Sequence, residues 1–197
     1  GDNNGLVLPP AIAPIQVVVI PVAQHKPGVI EKATELQQRL AQKYRAKIDI
    51  SDNSPGWKFN EYEMKGVPLR VEIGPKDMEK NQCVIVRRDN REKVFVPLDQ
   101  LEETVEKLLE AVRQGLYQKA LENREKRTFT AAAMDEMVQL ANEKSGFIKA
   151  MWCGDEACEL KLKESAGVSS RCIPFEQEQI SNVCVCCGKP AKKMVYW

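Results

Sequence analysis

The sequence lacks a long hydrophobic run. Apolar residues make up 43% of its 197 residues, but no uninterrupted apolar stretch approaches the roughly 18–20 residues that a transmembrane helix needs. The first residues also lack the basic and apolar regions of a signal peptide. We therefore expect a cytoplasmic protein that does not enter a membrane. Because the chain opens on Gly1, we also expect it to be part of a longer protein.

The sequence also lacks an excess of charge of either sign, and it has a single histidine. It contains 29 Lys and Arg against 28 Asp and Glu, for a formal net charge of +1. No global basic field is available to attract nucleic acid, so we expect no DNA binding, and any RNA binding must be local and selective for shape. His25 has no second ligand candidate nearby, so we interpret it as a solvated loop residue.

The seven cysteines are unevenly distributed. Cys83 stands alone in an apolar stretch, and the other six lie in the C-terminal part of the chain: Cys153, Cys158, Cys172, Cys184, Cys186 and Cys187. In the absence of a signal peptide, such a cluster indicates a metal site more than a disulfide framework. We exclude Cys172 as a ligand because it lies in an apolar, strand-like run.

Two pairs of cysteines have the spacing of a structural zinc site. Cys153 and Cys158 form a C-x4-C pair, and Cys184 and Cys187 form a C-x2-C pair that is followed by glycine. Four thiolates from two separated pairs predict one closed, tetrahedral zinc site. Three alternatives stay open: Cys186 replaces Cys184 or Cys187, the cysteines are unpaired buried thiols, or the thiols take part in redox exchange.

The spacing of apolar residues predicts a sheet that is covered by helices. The predicted elements are a strand at 15–22, a helix at 29–44, a strand at 47–51, a helix at 57–65, a strand at 69–73, a hairpin at 82–86 and 93–96, and a helix at 97–121. This alternation predicts an α/β domain with a mixed sheet at residues 15–127, preceded by a linker at 1–14. A charged connector at 122–127 leads to a second, small domain at 128–197, with a predicted helix at 131–140 and a predicted strand at 147–152.

One stretch of the predicted sheet domain combines side chains with specific chemistry. Phe59 and Glu63 lie one helical turn apart and so share a face of the predicted helix. The next strand alternates apolar and charged residues, so we expect Arg70 and Glu72 on its exposed face and Lys76 in the following loop. A guanidinium can donate to the two acceptors of guanine, and a carboxylate can accept from its amino edge. A phenyl ring can stack on an unpaired base. The alternative is a solvated sheet face with incidental charges.

The turn of the predicted hairpin contains three arginines, Arg87, Arg88 and Arg91. Guanidinium groups bind phosphate well, so the turn can be a phosphate-binding element. Arginines are equally expected in a solvated turn, and both interpretations stay open at this point.

Several stretches closely resemble one known family. Residues Gly56–Phe59 and Lys65–Asp77 resemble the anticodon-binding domain of prolyl-tRNA synthetases of the archaeal/eukaryotic-like type. The tail of the chain resembles the C-terminal zinc-binding domain of that family at residues 153–158, 171–175 and 187–192. Gly1-Asp2 and Gly5–Pro10 resemble the tail of motif 3 of the class II catalytic domain. The resemblance therefore extends over nearly the whole chain.

The resemblance has direct implications for the fold and the binding residues. It implies a mixed five-stranded sheet with three flanking helices, followed by a small α+β zinc-binding domain, and it places residues 1–14 at the end of a catalytic domain. It implies that the anticodon of proline tRNA is bound by Phe59, Glu63, Arg70 and Lys76, with Lys93 as a weaker candidate. The implied zinc is structural.

The resemblance also implies an intact, homodimeric enzyme that attaches proline to its tRNA with ATP and Mg²⁺. Motifs 1 and 2 of that class are absent from the sequence. Motif 3 normally brings an arginine to ATP, whereas the first arginine here is Arg39. We therefore expect no catalytic residues in this chain and no aminoacylation by it alone. The alternative is a free-standing, catalytically silent module that binds tRNA.

Overall fold

A computed structural model describes all 197 residues, which divide into two compact units, residues 1–119 and 120–197. The first unit contains β1 (Val17–Pro21), α1 (Val29–Ala41), β2 (Ala46–Ile48), α2 (Pro55–Met64), β3 (Leu69–Ile73), α3 (Pro75–Glu79), β4 (Gln82–Arg87), β5 (Lys93–Pro97) and most of α4 (Leu101–Lys126). No helix combines the length and the apolar composition that crossing a membrane requires. The predicted domain boundary between residues 127 and 128 stays a prediction.

The first unit is built on a mixed five-stranded sheet with the strand order β2-β1-β3-β4-β5. Strand β1 is parallel to both β2 and β3, whereas β3, β4 and β5 are successively antiparallel. The predicted fold class is thereby confirmed. The flanking helices are α1, α2 and α4, and the five-residue helix α3 is an addition to the prediction.

Strand β1 is buried on both faces of the sheet, as its continuous apolar sequence predicts. Val17 and Val19 belong to the main core, together with buried residues of α1 and α4. Val18 and Ile20 point to the opposite face, where they pack with Tyr62 of α2. The two faces of the sheet are therefore covered by different helices.

The prediction that β3 is half-exposed is wrong. Arg70 lies near the middle of the strand and is only 8% exposed. Strand β3 is the central strand of the sheet, and Arg70 lies between Val18 of β1 and Val86 of β4 in the register. A charged side chain at this position leaves water and must find charged or hydrogen-bonding partners within the protein.

The first 14 residues belong to the first compact unit, and their assignment to a linker or to the tail of a catalytic domain stays a prediction. The N–H of Leu6 donates to the carbonyl of Met64 at 3.0 Å, and Ala13 is fully buried. Gly5 has φ +122°, and a Cβ atom there would lie 2.5 Å from the Cα atom of Met64. The close approach of this N-terminal segment to α2 therefore requires glycine.

The second unit contains a three-stranded sheet and two helices. Its elements are β6 (Thr128–Thr130), α5 (Met134–Glu143), β7 (Phe147–Trp152), α6 (Glu156–Ala166) and β8 (Lys193–Tyr196). Strand β7 is central, parallel to β6 and antiparallel to β8. Helix α4 continues past its predicted end at residue 121 to Lys126, so the charged connector predicted at 122–127 is mostly helical. No glycine or proline interrupts residues 116–127, so nothing in this stretch ends the helix earlier.

Candidate nucleic-acid interface and candidate metal centre

Two elements of the first unit, α2 and β3, bring together four side chains that the sequence singled out. The Nε atom of Arg70 donates to Glu72 at 2.8 Å, and its Nη1 atom donates to Glu63 at 3.1 Å. The Cζ atom of Arg70 lies 4.1 Å from the centre of the Phe59 ring. We call Phe59, Glu63, Arg70 and Glu72 the Arg70 cluster. The predicted convergence of these side chains is present, although Arg70 is buried and not solvated.

Local sequence places the members of the Arg70 cluster. The Ser54 hydroxyl accepts from the N–H of Trp57 at 3.3 Å, and Pro55 occupies the first turn, so α2 begins here. Phe59 and Glu63 then lie one turn apart on α2. Gly66 has φ +71° and turns the chain toward β3.

The charges of the Arg70 cluster indicate which ligand it suits. One guanidinium lies between two carboxylates, so the cluster as a whole is not cationic and is poorly matched to phosphate. The hydrogen bonds of Arg70 use Nε and Nη1, which leaves the N–H groups of Nη2 for a further acceptor. A surface that offers both donors and carboxylate acceptors matches the edge of a guanine, which carries both kinds of group.

The two predicted lysines lie on different elements of the first unit, α3 and β5. Lys76 was expected in a loop, but it is in the short helix α3 and is exposed. No contact joins it to the cluster. Lys93 is exposed at the start of β5 and lies opposite Val86, which in turn lies opposite Arg70. Because directly opposite residues share a sheet face, Lys93 lies on the same face as Arg70, two strands away.

The hairpin arginines are largely neutralised by carboxylates. Arg87 pairs with Asp89 at 2.8 Å. Arg88 donates through both terminal nitrogens to Asp2, at 2.9 and 2.7 Å, and through Nε to the carbonyl oxygen of Glu63 at 2.8 Å. Arg88 holds the pKa of the Asp2 carboxyl well below its usual range through these hydrogen bonds. Only Arg91 of the three is exposed, so the interpretation of three arginines that bind phosphate together is not supported.

In the second unit, the four predicted cysteines come together. The sulfur atoms of Cys153, Cys158, Cys184 and Cys187 all lie within 4.8 Å of one another. Cys153 is 3.7 Å from Cys158 and 3.8 Å from Cys187 between sulfur atoms. Sulfur ligands at about 2.3 Å from one tetrahedral zinc lie about 3.8 Å apart, so the donor set fits this metal. A disulfide requires about 2.05 Å, and all seven cysteines are free.

In each cysteine pair, the local backbone conformation directs the sulfur atoms toward those of the other pair. Asp155 accepts from the N–H of Ala157 and begins α6, whose first turn carries Cys158. Gly188 has φ +70° and closes the turn after Cys187. Burial alone would raise the pKa of Cys184, but the backbone N–H groups of residues 187, 186 and 153 donate to its sulfur and lower the pKa to about 7. Donors aimed at this sulfur favour its thiolate, whereas burial raises the pKa of the Cys153 and Cys158 thiols.

The two remaining C-terminal cysteines lie outside the four-sulfur group. Cys186 is half-buried and packs beside the group. Cys172 is exposed and forms a short β-bridge with Tyr196. The sequence alone does not decide whether Cys186 replaces Cys184 or Cys187 as a ligand, because the three cysteines lie within four residues and the turn can close in more than one way.

Both units match known family models. Residues 16–108 match the model of anticodon binding domains, and residues 134–197 match the model of the C-terminal domain of prolyl-tRNA synthetases. The mixed sheet with its Arg70 cluster and the small domain with four converging cysteines therefore define a C-terminal region of an aminoacyl-tRNA synthetase.

Relatives with high sequence identity show which family of aminoacyl-tRNA synthetases the chain belongs to. The chain is 63% identical over 197 residues to the proline–tRNA ligase of Ruminiclostridium cellulolyticum and 62% identical over 196 residues to proline–tRNA ligase 2 of Bacillus cereus. It is 61% identical over 197 residues to the proline–tRNA ligase of Clostridium novyi. Each comparison covers this whole chain but only 41% of the relative. The chain belongs to the prolyl-tRNA synthetase family and spans about two-fifths of the length of these curated relatives.

Proposed function

We propose that the first unit reads the anticodon of proline tRNA through the Arg70 cluster. Proline anticodons share guanines at their second and third positions. Arg70 would donate to the acceptors of one guanine, and Glu63 would accept from its amino edge. The observation that carries the proposal is the convergence of Phe59, Glu63 and Glu72 on one buried guanidinium.

Burial strengthens the selectivity that this arrangement would provide. Arg70 is oriented by two carboxylates before any ligand arrives, so little side-chain freedom is lost on binding. A base without a matching acceptor would leave the N–H groups of Arg70 Nη2 unpaired in a partly desolvated site. Lys76 and Lys93 would contribute point charges to a phosphate or a base acceptor.

We also propose that Cys153, Cys158, Cys184 and Cys187 bind one zinc ion. Four protein ligands leave no position for water or substrate, so the ion would be structural and not catalytic. It would hold the turn of residues 184–188 against the start of α6. The four sulfurs at nearly tetrahedral separations support this assignment.

The intact protein, of which this chain matches two-fifths, would attach proline to tRNA with ATP and Mg²⁺. We further propose that it is a cytoplasmic homodimer whose catalytic residues lie outside the present sequence. The second candidate is a free-standing, catalytically silent tRNA-binding module. Class II motifs 1 and 2 in the reading frame before Gly1 would favour the enzyme, and their absence there would favour the module.

The anticodon proposal is tested by changing Arg70 and the RNA together. Arg70→Ala should weaken binding of a proline anticodon stem-loop by roughly 1–3 kcal/mol. It should also reduce the ratio between the affinity for this loop and the affinity for a loop whose two guanines are changed to adenines. Arg70→Lys keeps the positive charge but lacks the paired N–H donors of a guanidinium, so it should also lose the preference for guanine. Fluorescence anisotropy with both RNAs measures the two affinities.

Arg113→Ala is the matched control, because Arg113 is an exposed arginine that pairs with Glu110 on α4. It should leave the ratio of the two affinities unchanged. Arg70→Ala also leaves Glu63 and Glu72 without their shared partner, so the folded fraction must be checked by circular dichroism. The ratio is independent of that fraction when both RNAs are titrated with the same sample. An unchanged ratio in Arg70→Ala would show that Arg70 does not read the anticodon.

A further inference from the structure

The ring of Phe59 is poorly available to stack on a base. Its face is covered by the guanidinium of Arg70, at 4.1 Å from the ring centre. Phe59 is also half-buried against the cluster formed by Val18, Ile20 and Tyr62. An unpaired base that sits next to the Arg70 cluster therefore needs another aromatic platform.

The sheet register places such a platform on the same face as Arg70 and Glu72. Glu72 of β3 lies opposite Val84 of β4, and Val84 lies opposite Phe95 of β5. Directly opposite residues point to the same side of a sheet. Phe95 is therefore two strand spacings, about 10 Å, from Glu72 on the face that carries the Arg70 cluster.

This part of the sheet face is open. Helix α2 packs over β1 on this face through Tyr62, whereas Phe95 is 66% exposed. Helices α1 and α4 pack on the opposite face, where Ile85 and Val96 join the main core. The exposed ring thus lies beside the Arg70 cluster without a covering element.

We propose that Phe95 is a stacking platform for an unpaired nucleotide that neighbours the two guanines. This inference rests on the proposed anticodon function and extends the interface from β3 to the edge strand β5. An exposed aromatic ring binds the π-face of any base and does not select its identity. Lys93 is exposed on the same face, two residues from Phe95, and supplies a charge for the phosphate of that nucleotide. Continuity with the Arg70 cluster therefore favours RNA over a protein partner on this face.

The test uses the 197-residue chain and the same anticodon stem-loop. Phe95→Leu keeps an apolar side chain on the strand but removes the π-face, and Phe95→Tyr keeps the ring. We expect Phe95→Leu to weaken binding of the guanine and adenine loops by the same factor, roughly 5- to 150-fold, and Phe95→Tyr to bind as the unchanged chain does. Tyr117→Leu is the control, because Tyr117 is also 66% exposed in this unit. It should bind normally.

A fluorescent base locates the contact. The base analogue 2-aminopurine is placed, one position at a time, at the loop nucleotides on either side of the guanines. Stacking on Phe95 quenches its fluorescence on binding, and Phe95→Leu should remove that quenching at one position. Affinity of Phe95→Leu within twofold of the unchanged chain, or quenching that persists in this variant, would overturn the proposal.

The outcomes separate this inference from the proposed function. If Arg70→Ala changes the guanine preference but Phe95→Leu binds normally, only the stacking role of Phe95 fails. If Arg70→Ala leaves the preference unchanged while Phe95→Leu weakens both loops, the face binds RNA without reading the guanines. If the chain binds neither loop, both proposals fail.

Discussion

The two units of the chain achieve a defined structure by different means. In the first unit, a five-stranded sheet is buried on both faces of its central strands, and one large cluster of apolar side chains joins β1, β3, β4, α1 and α4. In the second unit, a smaller apolar cluster lies beside four converging cysteines. Apolar burial dominates in the larger unit, and the zinc proposed for the smaller one would add a cross-link.

Size accounts for this difference. The fraction of surface buried on folding falls as a domain becomes smaller, and small domains often add a metal or disulfides. The proposed zinc joins the turn after Cys184 to the start of α6, which are distant in the sequence. If the proposed zinc is bound, the stability of the first unit depends on packing alone and the stability of the second depends also on a ligand.

The largest effect is expected on removal of the metal. Cys158→Ser deletes one of four ligands and should abolish both metal binding and the cooperative structure of residues 120–197. Apparent zinc affinities of about 10–16 kcal/mol in zinc-finger peptides equal or exceed the total stability of a typical domain. Elemental analysis and hydrogen exchange resolved by unit measure the two outcomes. The first unit should remain protected from exchange.

Cys172→Ser is the matched control for the metal, because Cys172 is exposed and lies outside the four-sulfur group. It should leave the metal content and the protection of the second unit unchanged. The zinc assignment would be wrong if freshly purified, reduced protein contained no metal, or if a disulfide joined any two of the four cysteines.

An intermediate effect is expected from the core of the first unit. Leu36→Ala removes a fully buried side chain of α1 and should lower the free energy of unfolding by about 2–5 kcal/mol. Ile30→Ala on the same helix, at a residue that is 36% exposed, should cost much less. Denaturant unfolding of the first unit gives both values. Equal losses in the two variants would show that packing on α1 is not what stabilises this unit.

The smallest effect is expected from removing the second unit altogether. A chain that ends at Arg127 keeps all of α4 and the complete sheet. We expect it to unfold cooperatively, with a midpoint close to that of the first unit in the whole chain. Loss of cooperative unfolding would place the domain boundary elsewhere and would show that packing in the first unit is not self-sufficient.

The sequence predicted the first unit better than the second. In the strands and helices of the first unit, apolar residues recur with the spacing of a strand or a helix. The sequence predicts a buried β1 because Val17 to Ile20 are all apolar. The exposure of Arg70 could not be predicted, since an alternating strand looks the same at the edge of a sheet and at its centre. The position of β3 between β1 and β4 depends on pairing between distant residues, which local periodicity does not contain.

The cysteine spacing predicted the metal ligands without predicting the structure that holds them. Helix α6 and strand β8 were missed, because the helix is rich in charged residues and buries only Cys158 and Leu162, and the strand has only four residues. Phe95 was overlooked as well. In the sequence it is one of three apolar residues in Lys93–Val96, and only the register with Val84 shows that it shares a face with Glu72.

The contact between the N-terminal segment and α2 has a mechanical consequence. Both carboxylate oxygens of Asp2 accept hydrogen bonds from Arg88. Arg88 also donates to the carbonyl oxygen of Glu63, and the carboxylate of Glu63 accepts from Arg70. A planar guanidinium has little internal freedom, so a displacement of Asp2 passes directly to the last turn of α2. The N-terminal segment is therefore coupled, through Arg88 and Glu63, to the arginine that we propose reads guanine, and a shift of Asp2 would change the orientation of Arg70.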